Sequence, residues 1–267
     1  VKRLAATLLL ASRVRPALAF ARRQLRREPG PSAYAIRANG RRIWIRHDTD
    51  DPHVLAECFG RLRAYEPPPG PAERLIAEPP RSVVDLGANI GLFGLLAIER
   101  FPACEVTGIE ADPANADLLE RCIEANGLGG RWRALRAFAA AAPGSVSFAA
   151  GRSSRSRSVA AGDAPAGDGA IEVEAIDVFP LLAAAELVKI DIEGGEWALL
   201  ADPRLAELGA ATIVLEYHGA GCPGADPRGA AVAALEGAGY RVTIVHERSG
   251  AELEPGEGQG VAWAWRE

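Results

Sequence analysis

The sequence predicts an α/β fold, with a mostly parallel sheet covered by helices on both faces and closed by an antiparallel hairpin. Three observations carry this expectation. From residue 81 onward, short apolar strand-like segments alternate with helical ones. Residues 83–94, VVDLGANIGLFG, run from a strand through a glycine-rich turn into a helix. Two β-type segments near the end, 240–246 and 261–265, flank a glycine-rich turn. A hairpin added to a parallel sheet reverses its last strand.

The elements follow in order. Residues 1–27 contain eight basic side chains and no acid, which leaves 22 basic against 35 acidic residues in the remainder. A basic N-terminal tail (1–30) on an acidic body is expected. Its apolar run at 4–11 is far shorter than the ~20 residues of a membrane span, Arg13 and Arg15 interrupt it, and Pro16 breaks its helical register. The reading is a loose or frayed tail, dispensable for folding and open to weak contact with an anionic membrane surface. A small N-terminal region (31–80) comes next. In it Asn39-Gly40 marks a hairpin between 34–37 and 42–47, residues 54–65 read as a helix, and 67–80 form a proline-rich approach.

The main domain (81–267) then supplies strands at 82–86, 105–110, 133–138, 187–191 and 212–217. Helices fall at about 90–100, 113–126 and 226–238, and one follows Gly194. Short strands at 144–149 and 171–179 flank a low-complexity segment (151–170) expected to be a flexible loop. Arg152, Arg155 and Arg157 in it read as solvated charges or a substrate lid. Trp263 and Trp265 alternate on the last strand and read as core or sheet face.

Composition excludes several function classes. The net charge of −5 gives no general attraction to nucleic acid. Cys58, Cys104, Cys122 and Cys222 form no C-x-x-C pair, so neither a zinc site nor a redox motif is expected, and no metal site is assigned. Widely spaced cysteines suit a reducing, cytoplasmic setting.

The chemistry lies in the glycine turn. A dinucleotide fingerprint, G-x-G-x-x-G, needs its middle glycine so that the backbone can approach a pyrophosphate. Here Asn89 occupies that place between Gly87 and Gly91, and no Gly-Lys-Ser/Thr sequence provides a P-loop. Asp85 beside the turn would repel phosphate and suits a cationic group such as an ammonium. Glu110 ends the second strand, where an acid commonly holds ribose hydroxyls. Ribose and ammonium without phosphate describe S-adenosylmethionine (SAM). An NAD-type oxidoreductase is the disfavoured alternative. A SAM-binding or membrane-associated module without catalysis is another.

VVDLGANIGLFG, IEADP at 109–113, VKIDIEGGEWALL at 188–200, IVLEYHG at 213–219 and IRHDTDDPHVLAECF at 45–59 resemble the FkbM family of SAM-dependent methyltransferases. The resemblance implies a Rossmann-like, seven-stranded class I methyltransferase sheet with an antiparallel last strand. It implies O-methylation, often on a small molecule, sugar or glycan. Carried over by position, Asp85, Gly87, Asn89, Gly91 and Glu110 would line the cofactor. Where a polar residue near adenine is expected, this chain has Phe138-Ala139-Ala140-Ala141-Ala142, so no adenine-contacting side chain is assigned.

Catalytic groups are expected at the ends of the fourth and fifth strands. Asp191 and Glu193 precede a Gly-Gly turn, and Glu216 and His218 fall on one side of the fifth strand. Asp191 and Glu193 are expected to orient the acceptor. His218, ordinarily titrating near neutrality, is expected to take its proton; helix capping and loop hydrogen bonding are the plainer alternatives. Lys189 sits in an apolar strand of a chain that otherwise uses Arg, and is expected to pair with a carboxylate or to act in catalysis. His47, His53 and His246 read as surface or edge residues.

Overall fold

The computed structural model describes residues 2–149, 170–210, 212–248 and 258–266. The chain opens with α1 (Lys2–Ala11), β1 (Val14–Arg15), α2 (Ala17–Arg26), β2 (Pro31–Ile36), β3 (Arg42–Arg46), α3 (Asp51–Phe59) and α4 (Pro71–Ala77). Residues 2–26 are therefore not a loose tail. Val14 pairs with Ile36, which makes β1 the edge of a three-stranded sheet, and Phe20 is fully buried edge-on to Tyr34 and His47 at 5.1 and 4.8 Å. Spread around a helical wheel, the arginines obscure which apolar residues anchor these short helices; the strands beside them give Val14 and Phe20 a place to go. His47 likewise is core rather than surface. Its ring is 1% exposed, hydrogen-bonded to Tyr34 and Gln24, and its pKa is lowered by burial and by Arg23. The expected helix at 54–65 starts earlier and ends at Phe59, where Gly60 leaves no room for a Cβ beside the backbone of Ala56.

The main domain continues with β4 (Ser82–Leu86), α5 (Leu92–Arg100), β5 (Glu105–Glu110), α6 (Pro113–Ala125), β6 (Trp132–Arg136), β7 (Phe138–Ala140), β8 (Gly144–Ala149), β9 (Ala170–Asp177), α7 (Phe179–Leu182), β10 (Leu187–Ile190), α8 (Glu196–Leu200), β11 (Thr212–His218), α9 (Pro227–Gly237), β12 (Arg241–Arg248) and β13 (Gln259–Trp265). A seven-stranded sheet has the order β12-β13-β11-β10-β4-β5-β6. Its central strands are parallel, and β13 runs antiparallel to both β11 and β12. This is the Rossmann-like sheet with a reversed last strand that the sequence predicts. The third expected strand, 133–138, divides at Ala137. β6 stays on the main sheet, while β7 leaves it to pair with β9 beside β8. The segment at 151–169, with its three arginines, lies outside the described residues, as does the side chain of His246.

Strand alternation sorts the side chains. Val83, Leu187, Val214, Val261 and Trp263 join one core with α5, α6 and the N-terminal elements, whereas Val84, Leu86, Val188, Ile190, Ile213 and Leu215 join the other with α8 and α9. By the same period of two, Asp85, Lys189, Glu216, His218 and Gln259 point to the first face. Register sets Lys189 directly beside Asp85. Asp85, Lys189, Glu216 and His218 are thereby buried at the carboxyl ends of parallel strands. All four cysteines are unpaired.

Candidate functional site

Two clefts open at the carboxyl edge of the sheet. The first lies between Gly87, Asn89, Ile109, Glu110, Ala137 and Phe138. Glu110 ends β5 and is 7% exposed. Its carboxylate accepts from the backbone N–H of Asn89 and of Asp112, each at 2.8 Å, and from Asn115 Nδ2 at 3.4 Å. Burial pushes its pKa up to about 7, although these donors favour the charged form. Asp112 caps α6 by accepting from Ala114 N at 2.8 Å, with Pro113 at the first helical position. That cap fixes the corner on which Glu110 sits. The apolar stretch at 137–139 forms the facing wall, which agrees with the lack of a polar adenine candidate.

The glycine turn separates into parts with different roles. Gly87 has φ +75° and lies in the cleft wall; a Cβ there would collide with the Asp191 carbonyl oxygen at 1.8 Å. Asn89 lies in the walls of both clefts with φ 50°, and its Oδ1 is buried without a partner among the described residues. Gly91 does not face the cleft. It opens α5 in a left-handed conformation and leaves room for Leu119 and Trp132. Asp85 does not line the cleft either. It is 0% exposed, and Lys189 Nζ stands 3.3 Å from it. The side chain points into the core because it shares the face of Val83, and there it pairs with Lys189.

Lys189 ties the turns together. It donates to the Gly87 carbonyl at 2.9 Å and pairs with Asp191 at 3.2 Å. Burial alone would lower its pKa, but Asp191 and Asp85 hold it above the ordinary lysine value. Tyr65, which nothing in the sequence singles out, packs on Phe93 and donates to Glu216 at 2.9 Å. It comes from the segment following α3, so only the docking of the N-terminal region brings it here.

The second cleft is polar and lies between Asp50, His53, Glu57, Asn89, Asp191, Glu193, Glu216, His218 and Gln259. The structure thus brings Asp191, Glu193 and His218 together, as expected, with Glu216 beside them. Glu193 is held at φ 52°. His218 Nε2 lies 3.5 Å from Glu193 and 4.0 Å from both Asp191 and Glu216. Its Nδ1 is 3.1 Å from Glu196, which is 0% exposed and also accepts the His218 backbone N–H at 2.8 Å. Burial would lower the pKa of this histidine, but Glu196, Asp191 and Glu193 raise it to about 10. These carboxylates favour the charged ring, which makes His218 a weaker base near neutrality than an ordinary imidazole. Burial, with Asp191 and Glu57, pushes Glu216 up to about 8. Glu196 lies in the same motif as Asp191 and Glu193, but spacing alone could not show that it turns back to His218.

The sheet order, the glycine turn and the acid ending β5 define an α/β domain with a ligand cleft at the carboxyl ends of its strands. A family model for the methyltransferase FkbM domain matches residues 85–242, and the chain belongs to that family. The chain is similar to the N-terminal domain of EvdMO1, solved with SAH bound (19% identity, 96% of this chain and 99% of that chain covered, TM-score 0.48). It is also similar to a transferase, PH0793, of Pyrococcus horikoshii (16%, 89% and 72%, 0.45). A third similar structure is precorrin-6y C5,15-methyltransferase of Geobacter metallireducens (16%, 70% and 80%, 0.42). No curated protein matches. Among the described residues no helix is long and apolar enough to cross a membrane.

Proposed function

We propose that the protein transfers a methyl group from SAM to a hydroxyl of a small molecule, sugar or glycan. The observation that carries this reading is the junction of the two clefts: Asn89, Asp191 and Glu193 belong to the walls of both. A donor in the first cleft and an acceptor in the second would meet there.

Glu110 would hold the ribose hydroxyls, with adenine between Ile109 and the 137–139 wall and the methionine end toward Gly87, Asn89 and Asp191. Bound SAM supplies the electrophilic methyl. Transfer from a sulfonium is an in-line displacement, so holding the two reactants in alignment supplies much of the rate. The C–O bond forms as the S–C bond breaks, and the hydroxyl proton must leave. Asp191 and Glu193 accept hydrogen bonds from the acceptor, and one of these carboxylates takes that proton. The polar wall suits a hydroxyl-rich acceptor and opposes an anionic one.

Outside the clefts, Leu4, Leu8, Leu18 and Leu25 are exposed among the arginines of α1 and α2. That face suits weak contact with an anionic membrane surface, and sedimentation with anionic vesicles at low and high salt tests it. Calorimetry with SAM, S-adenosylhomocysteine and NAD tests the main reading, followed by transfer from labelled SAM into glycan and polyketide extracts. SAM should bind and NAD should not. Selective NAD binding would restore the oxidoreductase alternative.

A further inference from the structure

The second cleft carries a donor set that hydroxyl orientation alone does not require. His218 is 8% exposed, and its Nδ1 is fixed by the wholly buried Glu196. That contact turns Nε2 into the cleft, where it makes no hydrogen bond among the described residues. Oxygens of Glu193, Asp191 and Glu216 stand round it at 3.5, 4.0 and 4.0 Å. One ligand atom from each of Asp191, Glu193 and His218 can be chosen so that all three lie within 4.8 Å of one another. Two ligands each about 2.1 Å from one ion stand roughly 3.0–3.5 Å apart in octahedral or tetrahedral geometry. From the observed spacing these side chains would have to draw inward to hold an ion.

Three further features fit. A carboxylate on the far nitrogen of a ligating histidine is the usual device for setting its orientation and basicity. Lys189 and Tyr65 occupy Asp191 Oδ2, while Oδ1 is the atom that faces His218. Among the described residues, the carboxylates of Asp191, Glu193 and Glu216 face the same cleft as His218 Nε2.

We propose that Asp191, Glu193 and His218 bind one divalent transition-metal cation of the Mn²⁺ type, with Glu216 beside it. One imidazole with carboxylates suits such an ion better than an all-oxygen Mg²⁺ or Ca²⁺ site. Sites left open by the protein would take the acceptor's oxygen and lower its pKa. The inference deepens the methyl-transfer reading, but cation binding is measured without turnover, so the two can fail separately.

The probe is Mn²⁺ added to the full-length, EDTA-treated protein and followed by electron paramagnetic resonance. The expected result is one Mn²⁺ per chain, with nitrogen modulation from one imidazole in the pulsed spectrum of the unsubstituted protein. His218→Ala should abolish that modulation, and His218→Ala and Glu193→Gln should each weaken binding at least about tenfold. Thermal melting of each variant checks that it is folded. Failure to bind Mn²⁺, or binding without nitrogen modulation, would overturn the proposal and leave the His218 proton as the balancing charge. If SAM then binds while Mn²⁺ does not, the methyl-transfer reading stands and the cation is lost. Mn²⁺ binding with no SAM binding would leave a metal site in a protein of different activity.

Discussion

A Cβ atom on Gly87 would lie 1.8 Å from the backbone carbonyl oxygen of Asp191. The turn after β4 and the acidic turn after β10 are thus in backbone contact, and Lys189 spans them by pairing with Asp191 and donating to Gly87. Gly87→Ala must overcome both a left-handed φ of +75° and this collision. A left-handed residue with a side chain costs about 1–2 kcal/mol, and overpacking adds about 1–3 kcal/mol. Chemical denaturation should show a combined loss within about 2–5 kcal/mol, together with weakened SAM binding. A variant of normal stability and affinity would mean that the turns are not in contact.

Lys189→Met should destabilise the fold by about 3–5 kcal/mol, because Asp85 is then buried without a partner. The double variant Lys189→Met, Asp85→Asn should recover part of that loss. Additive losses in a double-mutant cycle would show that the pair is uncoupled. Asp85→Asn should act on SAM affinity only through the position of Gly87, and so less than Glu110→Ala.

Glu110→Ala should weaken SAM binding by about 1–3 kcal/mol, the scale for a hydrogen bond to a charged group. Its pH dependence follows from a carboxyl pushed up to about 7 by burial, above the ~4.3 of an unfolded chain. Between those values the folded state keeps a proton that the unfolded chain has lost. The contribution to stability of the cofactor-free protein is therefore largest below the unfolded pKa and falls as pH rises toward 7. Glu110→Gln should remove this slope from melting curves collected between pH 5 and 8. SAM affinity should run the opposite way, falling below pH 7 as the ribose acceptor becomes protonated. A pH-independent SAM affinity would place the ribose elsewhere.

Deleting residues 1–27 should lower the melting temperature rather than leave it unchanged. The deletion strips Val14 from the edge of β2 and removes the fully buried Phe20 from Tyr34 and His47. Phe20→Ala alone should cost about 3–5 kcal/mol by cavity formation. An unchanged melt for both would return these helices to the status of a tail.

The sequence by itself determined the alternation of strands and helices, the reversed closing strand, and the places of Gly87, Asn89, Glu110, Asp191, Glu193 and His218 at the carboxyl edge. Those features rest on local chemistry: a period of two, glycine turns, and acids at strand ends. The tertiary structure decided which of them face a cleft. Register placed Asp85 against Lys189 and turned it inward, and the bulk of Trp132 claimed the space at Gly91. It also supplied partners from far along the chain, bringing Tyr65 to Glu216 across 151 residues and Glu196 to His218 across 22. The charge state of His218 was likewise beyond sequence reasoning, because it depends on which carboxylates gather round a buried ring. Residues 2–26 followed the same logic. Their arginines fall on several sides of the helices, and Val14 and Phe20 find a core only because β2 and β3 provide one.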